Sequence, residues 1–126
     1  GHYMTNIHYK ELSDVVIGSA INVHKILGPG LLEKIYRKSL VIELRSQGIA
    51  VEEENPFEVF YEKHPVGFYV SDIVVENKII IETKTVKYFK PTNDAQLINY
   101  LKISRLKVGY LINFAKLRLD WKRFIV

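Results

Sequence analysis

Asp72, Glu82 and Lys84 interrupt two stretches, Gly67–Val75 and Ile79–Lys84, that are otherwise apolar and rich in β-branched residues. An ionised group left unpaired in such surroundings costs several kcal/mol, or its pKa shifts until the charge is lost. A divalent metal beside a neighbouring ammonium would offset that cost. Two carboxylates and a lysine are the groups that metal-assisted hydrolysis of a phosphodiester requires.

Whether the carboxylates meet depends on the turn Glu76-Asn77-Lys78, because side chains alternate between the faces of a strand and register decides which face each takes. A two-residue loop would set Asp72 opposite Ile81 and send Glu82 to the far face. A three-residue loop brings them together: loop 76–78 pairs Asp72 directly with Glu82, and loop 75–77 makes them diagonal neighbours. The latter puts Asn77 at the left-handed position, which Asn tolerates. The expectation is therefore a three-residue loop, with Lys84 on the carboxylate face and Ile79, Ile81 and Thr83 on the other. The same trio would also serve as an ordinary cross-strand ion network.

Composition bounds the alternatives. With 126 residues, 48% of them hydrophobic and 25% charged, the chain fits one domain over 1–126 with a core of its own. Gly1-His2 looks like a cloning scar, and residues 1–4 are expected to be a tag remnant or disordered. No apolar run approaches the length needed to span a bilayer and no secretory leader is evident, so the expectation is a cytoplasmic protein without membrane contact. The absence of cysteine excludes disulfides and thiolate zinc sites. The four histidines show no metal-ligand spacing, and His24 reads as a helix-packing or hydrogen-bonding residue.

Charge is polarised along the chain. Residues 1–76 carry 7 Lys/Arg and 11 Asp/Glu, a balance of −4; residues 77–126 carry 11 and 3, a balance of +8. A basic segment next to a carboxylate pair suits a polyanion. Lys87, Lys90, Lys102, Arg105 and Lys107 would be solvated charges singly and a phosphate path together.

The positioning elements follow from periodicity. Apolar residues from Tyr9 to Leu27 recur at three and four, predicting a helix that Gly28-Pro29-Gly30 ends. A second helix is expected from Leu31 to Gln47, with Leu32, Ile35, Leu40 and Leu44 inward and Gly48 as its stop. Strand-like segments follow at Ile49–Glu54, Phe57–Lys63, Gly67–Val75 and Ile79–Thr85, with breaks at Asn55-Pro56 and His64-Pro65; the first two can be one bent strand. Pro91-Thr92-Asn93-Asp94 opens a helix to Ser104, then strands Lys107–Phe114 and Trp121–Val126 close the chain. The order α-α-β-β-β-α-β-β predicts an α/β (mixed α+β) layer with helices packed on one sheet. The C-terminal Phe124-Ile125-Val126 would form an edge open to pairing.

Two stretches resemble a known family. Gly30, Glu33 and Tyr36 fall in a G-x-x-E-x-x-Y pattern, similar to the GxxExxY proteins of the PD-(D/E)XK nuclease superfamily. The ordered set Asp72…Glu82-Thr83-Lys84 followed by Gln96-x-x-x-Tyr100 resembles the active-site core of that superfamily and the Q-x-x-x-Y element of its RecB-like members. The resemblance covers about residues 8 to 115. It implies a restriction-endonuclease-like core, a central mixed β-sheet flanked by helices, and roles for the matched positions. Asp72, Glu82 and the Thr83 carbonyl would ligate Mg²⁺ or Mn²⁺, with Glu33 ligating directly or through water. Lys84 would orient the attacking water, Gln96 and Tyr100 would support it or hold substrate phosphate, and Tyr36 would support the site or simply pack.

The leading expectation is thus a nuclease acting on DNA, or on RNA, as a homodimer or with a partner protein. A non-catalytic nucleic-acid-binding or interaction module is the alternative. An unrelated α+β domain would require the ordered motifs to be coincidence.

Overall fold

The computed structural model describes residues 9–126, so the expected tag remnant at 1–4 lies outside it. Helix α1 spans Lys10–Leu27 and buries Val16, Ala20 and Val23 at helical spacing, as predicted. Helix α2 spans Glu33–Ser46 and buries Tyr36, Leu40, Val41 and Leu44. Its inward face differs from expectation: Leu32 is 74% and Ile35 40% exposed. Leu32 is the residue before the helix, with extended backbone, so it does not share the helical phase. The stripe that reaches the core is 36, 40, 41 and 44.

The two expected N-terminal strand segments are one strand, β1, Val51–Tyr61, which runs through Asn55-Pro56. Strand β2 is His64–Val75, so the turn falls at Glu62-Lys63 rather than at His64-Pro65. Both turn residues take positive φ, 46° and 71°. Nothing in Glu-Lys advertises that conformation, whereas His-Pro looks like a break. Strand β3 is Ile79–Lys84, helix α3 Pro91–Ser104, β4 Val108–Asn113 and β5 Asp120–Ile125.

The strands form one mixed sheet in the order β1-β2-β3-β4-β5. Among the described residues only β3 and β4 run parallel, which is the pairing that needs a crossover, and α3 supplies it. Ile73, Val75, Ile79, Ile81, Val108, Tyr110 and Ile112 project from one face into the larger core under α1 and α2. Ile80 and Leu111 project from the other face to meet Leu97 and Leu101 of α3. Strand β3 is thus covered on both faces, which explains its near-continuous apolar sequence.

Candidate active site

The turn between β2 and β3 is the three-residue form. Val75 pairs with Ile79, enclosing Glu76-Asn77-Lys78. Glu76 and Asn77 are both left-handed, at φ 51° and 52°. The register continues Val74↔Ile80 and Ile73↔Ile81, so Asp72 comes next to Glu82 on the α3 side of the sheet. Backbone pairing stops there and side chains take over. The Thr83 N–H and hydroxyl donate to Asp72 Oδ2 at 2.9 and 3.1 Å. The Asp72 N–H donates to Glu82 Oε2 at 3.3 Å.

A twist in β2 opens this place. Tyr69 and Ile73 are four residues apart and belong to the same side of a regular pleat. Yet Ile73 lies in the core under α1 and α2, while the Tyr69 ring stacks on Tyr100 of α3. Facing the twist, Glu54 of β1 takes φ 55° and leaves the ladder between Glu53↔Ile73 and Asn55↔Ser71. Arg37 of α2 holds that irregular corner, donating to Glu53 and Glu54 at 2.9 Å each. Local irregularities of this kind re-aim side chains. Here the twist brings the Tyr69 hydroxyl onto Glu82, to which it donates a hydrogen bond.

Glu33 arrives from α2 because of the turn before it. Gly28 and Gly30 adopt φ 70° and 104°, a conformation that disfavours a side chain. Tyr36 closes the turn: its hydroxyl donates to the Gly28 carbonyl and accepts from the Leu31 N–H at 3.1 Å. Its ring is fully buried and stacks on Phe114 at 4.7 Å. Tyr36 therefore does not reach the cleft; within the pattern Gly30-x-x-Glu33-x-x-Tyr36 it fixes where α2 begins. Glu33 is the first residue of that helix, where the N-terminal dipole favours a carboxylate.

An open cleft of about 530 Å³ gathers Glu33, Asp72, Glu82, Lys84, Gln96 and Tyr100, together with Asn93 at the start of α3. Phe68, Tyr69 and Val70 form its wall on the β2 side. His24 stays away, its Nε2–H donating to the Lys116 carbonyl at 2.8 Å, beside Phe114. The five basic residues do not share one surface. Lys87 and Lys90 precede α3 at its cleft end, whereas Lys102, Arg105 and Lys107 lie at its other end, about 20 Å along the helix.

Two residues that sequence reasoning passed over matter here. Tyr69 was hidden because its role depends on the twist. Asn113, fully buried at the end of β4, accepts from the N–H groups of Val86 and Ala115, 3.1 Å each, and donates to the Val86 carbonyl at 2.6 Å. It thereby ties the segment after Lys84 to the sheet. An Asn closing an apolar strand was the available signal.

Electrostatics single out the carboxylate pair. Glu82 is 7% exposed. Burial first, then the Asp72 charge and a hydrogen bond between the two side chains, push its carboxyl up to about 8, against the bonds from Tyr69 and the Asp72 N–H. Burial and next Asp72 also raise Glu33, which Lys84 and Arg37 oppose. Tyr69 and Tyr100 are raised by burial and then by Glu82.

Among the described residues, no three His, Cys, Asp or Glu side chains sit close enough to form a metal cage. The donor chemistry nevertheless fits a hard cation. Mg²⁺ keeps several waters and uses one or two carboxylates plus substrate phosphate rather than a protein cage. Asp72 and Glu82, adjacent and mutually repelling, form such a pair.

This arrangement, a mixed sheet with a crossover helix and a carboxylate pair followed by lysine at the end of two central strands, has the fold of a restriction-endonuclease-like core. A family model of the PD-(D/E)XK nuclease superfamily matches residues 10–124, and the chain belongs to that superfamily. Among solved structures, SSO0001 is similar in fold, with a TM-score of 0.59 at 20% identity over 94% of this chain and 59% of that chain. The present chain thus spans about three-fifths of that structure's length. An alkaline exonuclease, LHK-Exo from Laribacter hongkongensis, gives a TM-score of 0.49 at 11% identity, over 84% of this chain and 75% of that chain. No curated protein matches significantly. Among the described residues no helix is long and apolar enough to cross a membrane.

Proposed function

We propose that this chain is a metal-dependent nuclease of the GxxExxY type, hydrolysing phosphodiester bonds of nucleic acid, with DNA favoured over RNA. The observation that carries the reading is the meeting of Asp72 and Glu82 at one end of the β2–β3 ladder, with Lys84 lining the same cleft. Membership of a nuclease superfamily supports it.

In this reading Asp72 and Glu82 hold Mg²⁺ or Mn²⁺, with the Thr83 carbonyl as a third oxygen and Glu33 reached directly or through water. The ion, when bound, supplies Lewis-acid charge to the phosphate and lowers the pKa of its water. Thr83 and Tyr69 hold the two carboxylates in place through the bonds described above. Lys84 has no ion pair with any described residue, and its ammonium is available to orient the attacking water and meet charge growing on the phosphate. Gln96 and Tyr100, one helical turn apart, face the same cleft and position phosphate or Lys84.

The test is cleavage of labelled linear, circular and single-stranded DNA and of RNA, with Mg²⁺, Mn²⁺ or EDTA. Glu82→Gln and Lys84→Ala should each reduce cutting by about a hundredfold or more, the scale of losing a positioned electrostatic group. Cutting that survives both substitutions would overturn the assignment. Metal binding without any cutting would favour a non-catalytic nucleic-acid-binding module.

A further inference from the structure

The β1–β2 hairpin outgrows the sheet that supports it. Strand β2 pairs with β3 only through Ile73–Val75, so beyond the twist β1 and β2 continue as a two-stranded arm. Phe68 and Val70 lie on that arm, 69% and 52% exposed, and both line the cleft that contains Asp72 and Glu82. Tyr69 and Tyr100 lie stacked in the same cleft. An apolar, aromatic wall is unnecessary for holding phosphate, which needs cations and N–H donors. It suits the flat face of a base.

Charge gives the cleft a direction. Beyond the twist the arm, residues 54–71, carries Glu54, Glu58 and Glu62 against Lys63, and Arg37 pairs with Glu54. Residues 84–90, which run from Lys84 in the cleft to the start of α3, carry Lys84, Lys87 and Lys90 and no Asp or Glu. A phosphate backbone is drawn to the second segment rather than to the first, whose balance is acidic. The bases attached to it are thereby directed toward Phe68 and Val70. A paired duplex keeps its bases stacked inside and presents phosphates on both flanks, one of which would face the glutamates. An unpaired strand can turn its bases to one side and its phosphates to the other.

We infer that the cleft takes an unpaired nucleic-acid strand, with its bases against Phe68 and Val70 of the arm and its phosphates along the Lys84–Lys90 side. This rests on the nuclease reading and specifies its substrate. Phe68 is a binding residue in this assignment, outside the chemistry itself.

The experiment compares binding of a fluorescein-labelled oligothymidylate and a blunt DNA hairpin to the Glu82→Gln chain in Mg²⁺ at fixed ionic strength, with and without Phe68→Ala. Phe68 is exposed, so its removal leaves the core untouched. The single strand should bind more tightly than the hairpin. Phe68→Ala should weaken the single strand by about five- to a hundredfold, the effect of losing one base–aromatic stack, and leave the hairpin nearly unchanged. Phe68→Trp should retain affinity, and its fluorescence should be quenched by oligothymidylate. Tighter binding of the hairpin, or equal small effects of Phe68→Ala on both ligands, would overturn the inference while wild-type cleavage of duplex DNA kept the nuclease reading. Failure of the parent chain to bind either ligand, together with no wild-type cleavage, would remove both.

Discussion

Asp72 and Glu82 meet one residue beyond the last backbone pair of β2 and β3, where the Asp72 N–H turns from the ladder to the Glu82 carboxylate at 3.3 Å. A pair of carboxyl groups so placed cannot both be charged cheaply without a cation. The Glu82 carboxyl is accordingly pushed up to about 8 from its ordinary 4.5, by burial first and Asp72 next. The folded state therefore binds more protons than the unfolded chain between these values. The contribution of Glu82 to stability is greatest below about pH 4.5 and is lost as pH rises toward 8. Glu82→Gln, which keeps an acceptor for Tyr69, should match wild type near pH 4.5 and exceed it near pH 9. The gap should be on the order of a few kcal/mol, read as thermal midpoints in EDTA. A constant gap across this range would show that Glu82 ionises normally.

Metal should reverse that difference. At pH 8, Mg²⁺ or Mn²⁺ should raise the midpoint of the wild type, because a ligand bound only to the folded state stabilises it. The same addition should do little for Asp72→Asn or Glu82→Gln. Equal stabilisation of all three chains would place the bound ion elsewhere.

Tyr36 acts through the turn it closes. Tyr36→Phe preserves the stack on Phe114 but removes the hydroxyl that joins the Gly28 carbonyl to the Leu31 N–H. A loss of about 1–3 kcal/mol is expected, the range for stranding polar partners of a buried group. Cleavage should also fall, since Glu33 starts the helix this turn positions. Unchanged stability in chemical denaturation would show that the glycines alone hold the turn.

Much of this arrangement was legible in sequence. Helix α3 runs Pro91–Ser104 as expected, because Pro91 fixes its first turn and Asn93 returns a side-chain bond to the Lys90 N–H at 2.8 Å. The tolerance of Asn77 for left-handed backbone points to a three-residue turn, and the structure takes the 76–78 form of it, with Glu76 left-handed as well. What could not be read were features set by tertiary geometry. The inward phase of α2 was misjudged because Leu32 looks helical but precedes the helix. Tyr69 sits three residues before Asp72, and simple alternation assigns it to the Ile73 side; only the twist of β2, opposite Glu54, sends it to Glu82. The lysines at the two ends of α3 are close in sequence and separated by the length of a helix.

Gly109 sets how near α3 lies to the sheet. A Cβ there would come within 3.0 Å of a Leu97 methyl and 3.2 Å of a Leu101 methyl, both buried. Gly109→Ala should destabilise by about 1 kcal/mol and Gly109→Val by more, as over-packed cores do. Because Gln96 and Tyr100 ride on the same helix, cleavage should fall with the displacement. A fully stable Gly109→Val chain would mean that α3 slides freely on β4.

Asn113, at the end of β4, ties the lysine-bearing segment after β3 to the sheet. Its amide satisfies both polar groups of Val86 and the Ala115 N–H, and it pairs in the sheet with Lys84. Asn113→Leu fills a similar volume and strands these three groups. Each unmade bond costs about 1–3 kcal/mol where water cannot replace it. Val86 is only half-buried, so part of that loss is recovered by hydration, and a net loss of about 2 kcal/mol is expected. The segment that carries Lys87 and Lys90 should then loosen, visible as faster amide hydrogen exchange over residues 85–90. Affinity for oligothymidylate should fall along with it, while exchange in β3 stays slow. Uniformly faster exchange across the sheet would instead mark Asn113 as a general support of the fold, without a specific hold on the lysine segment.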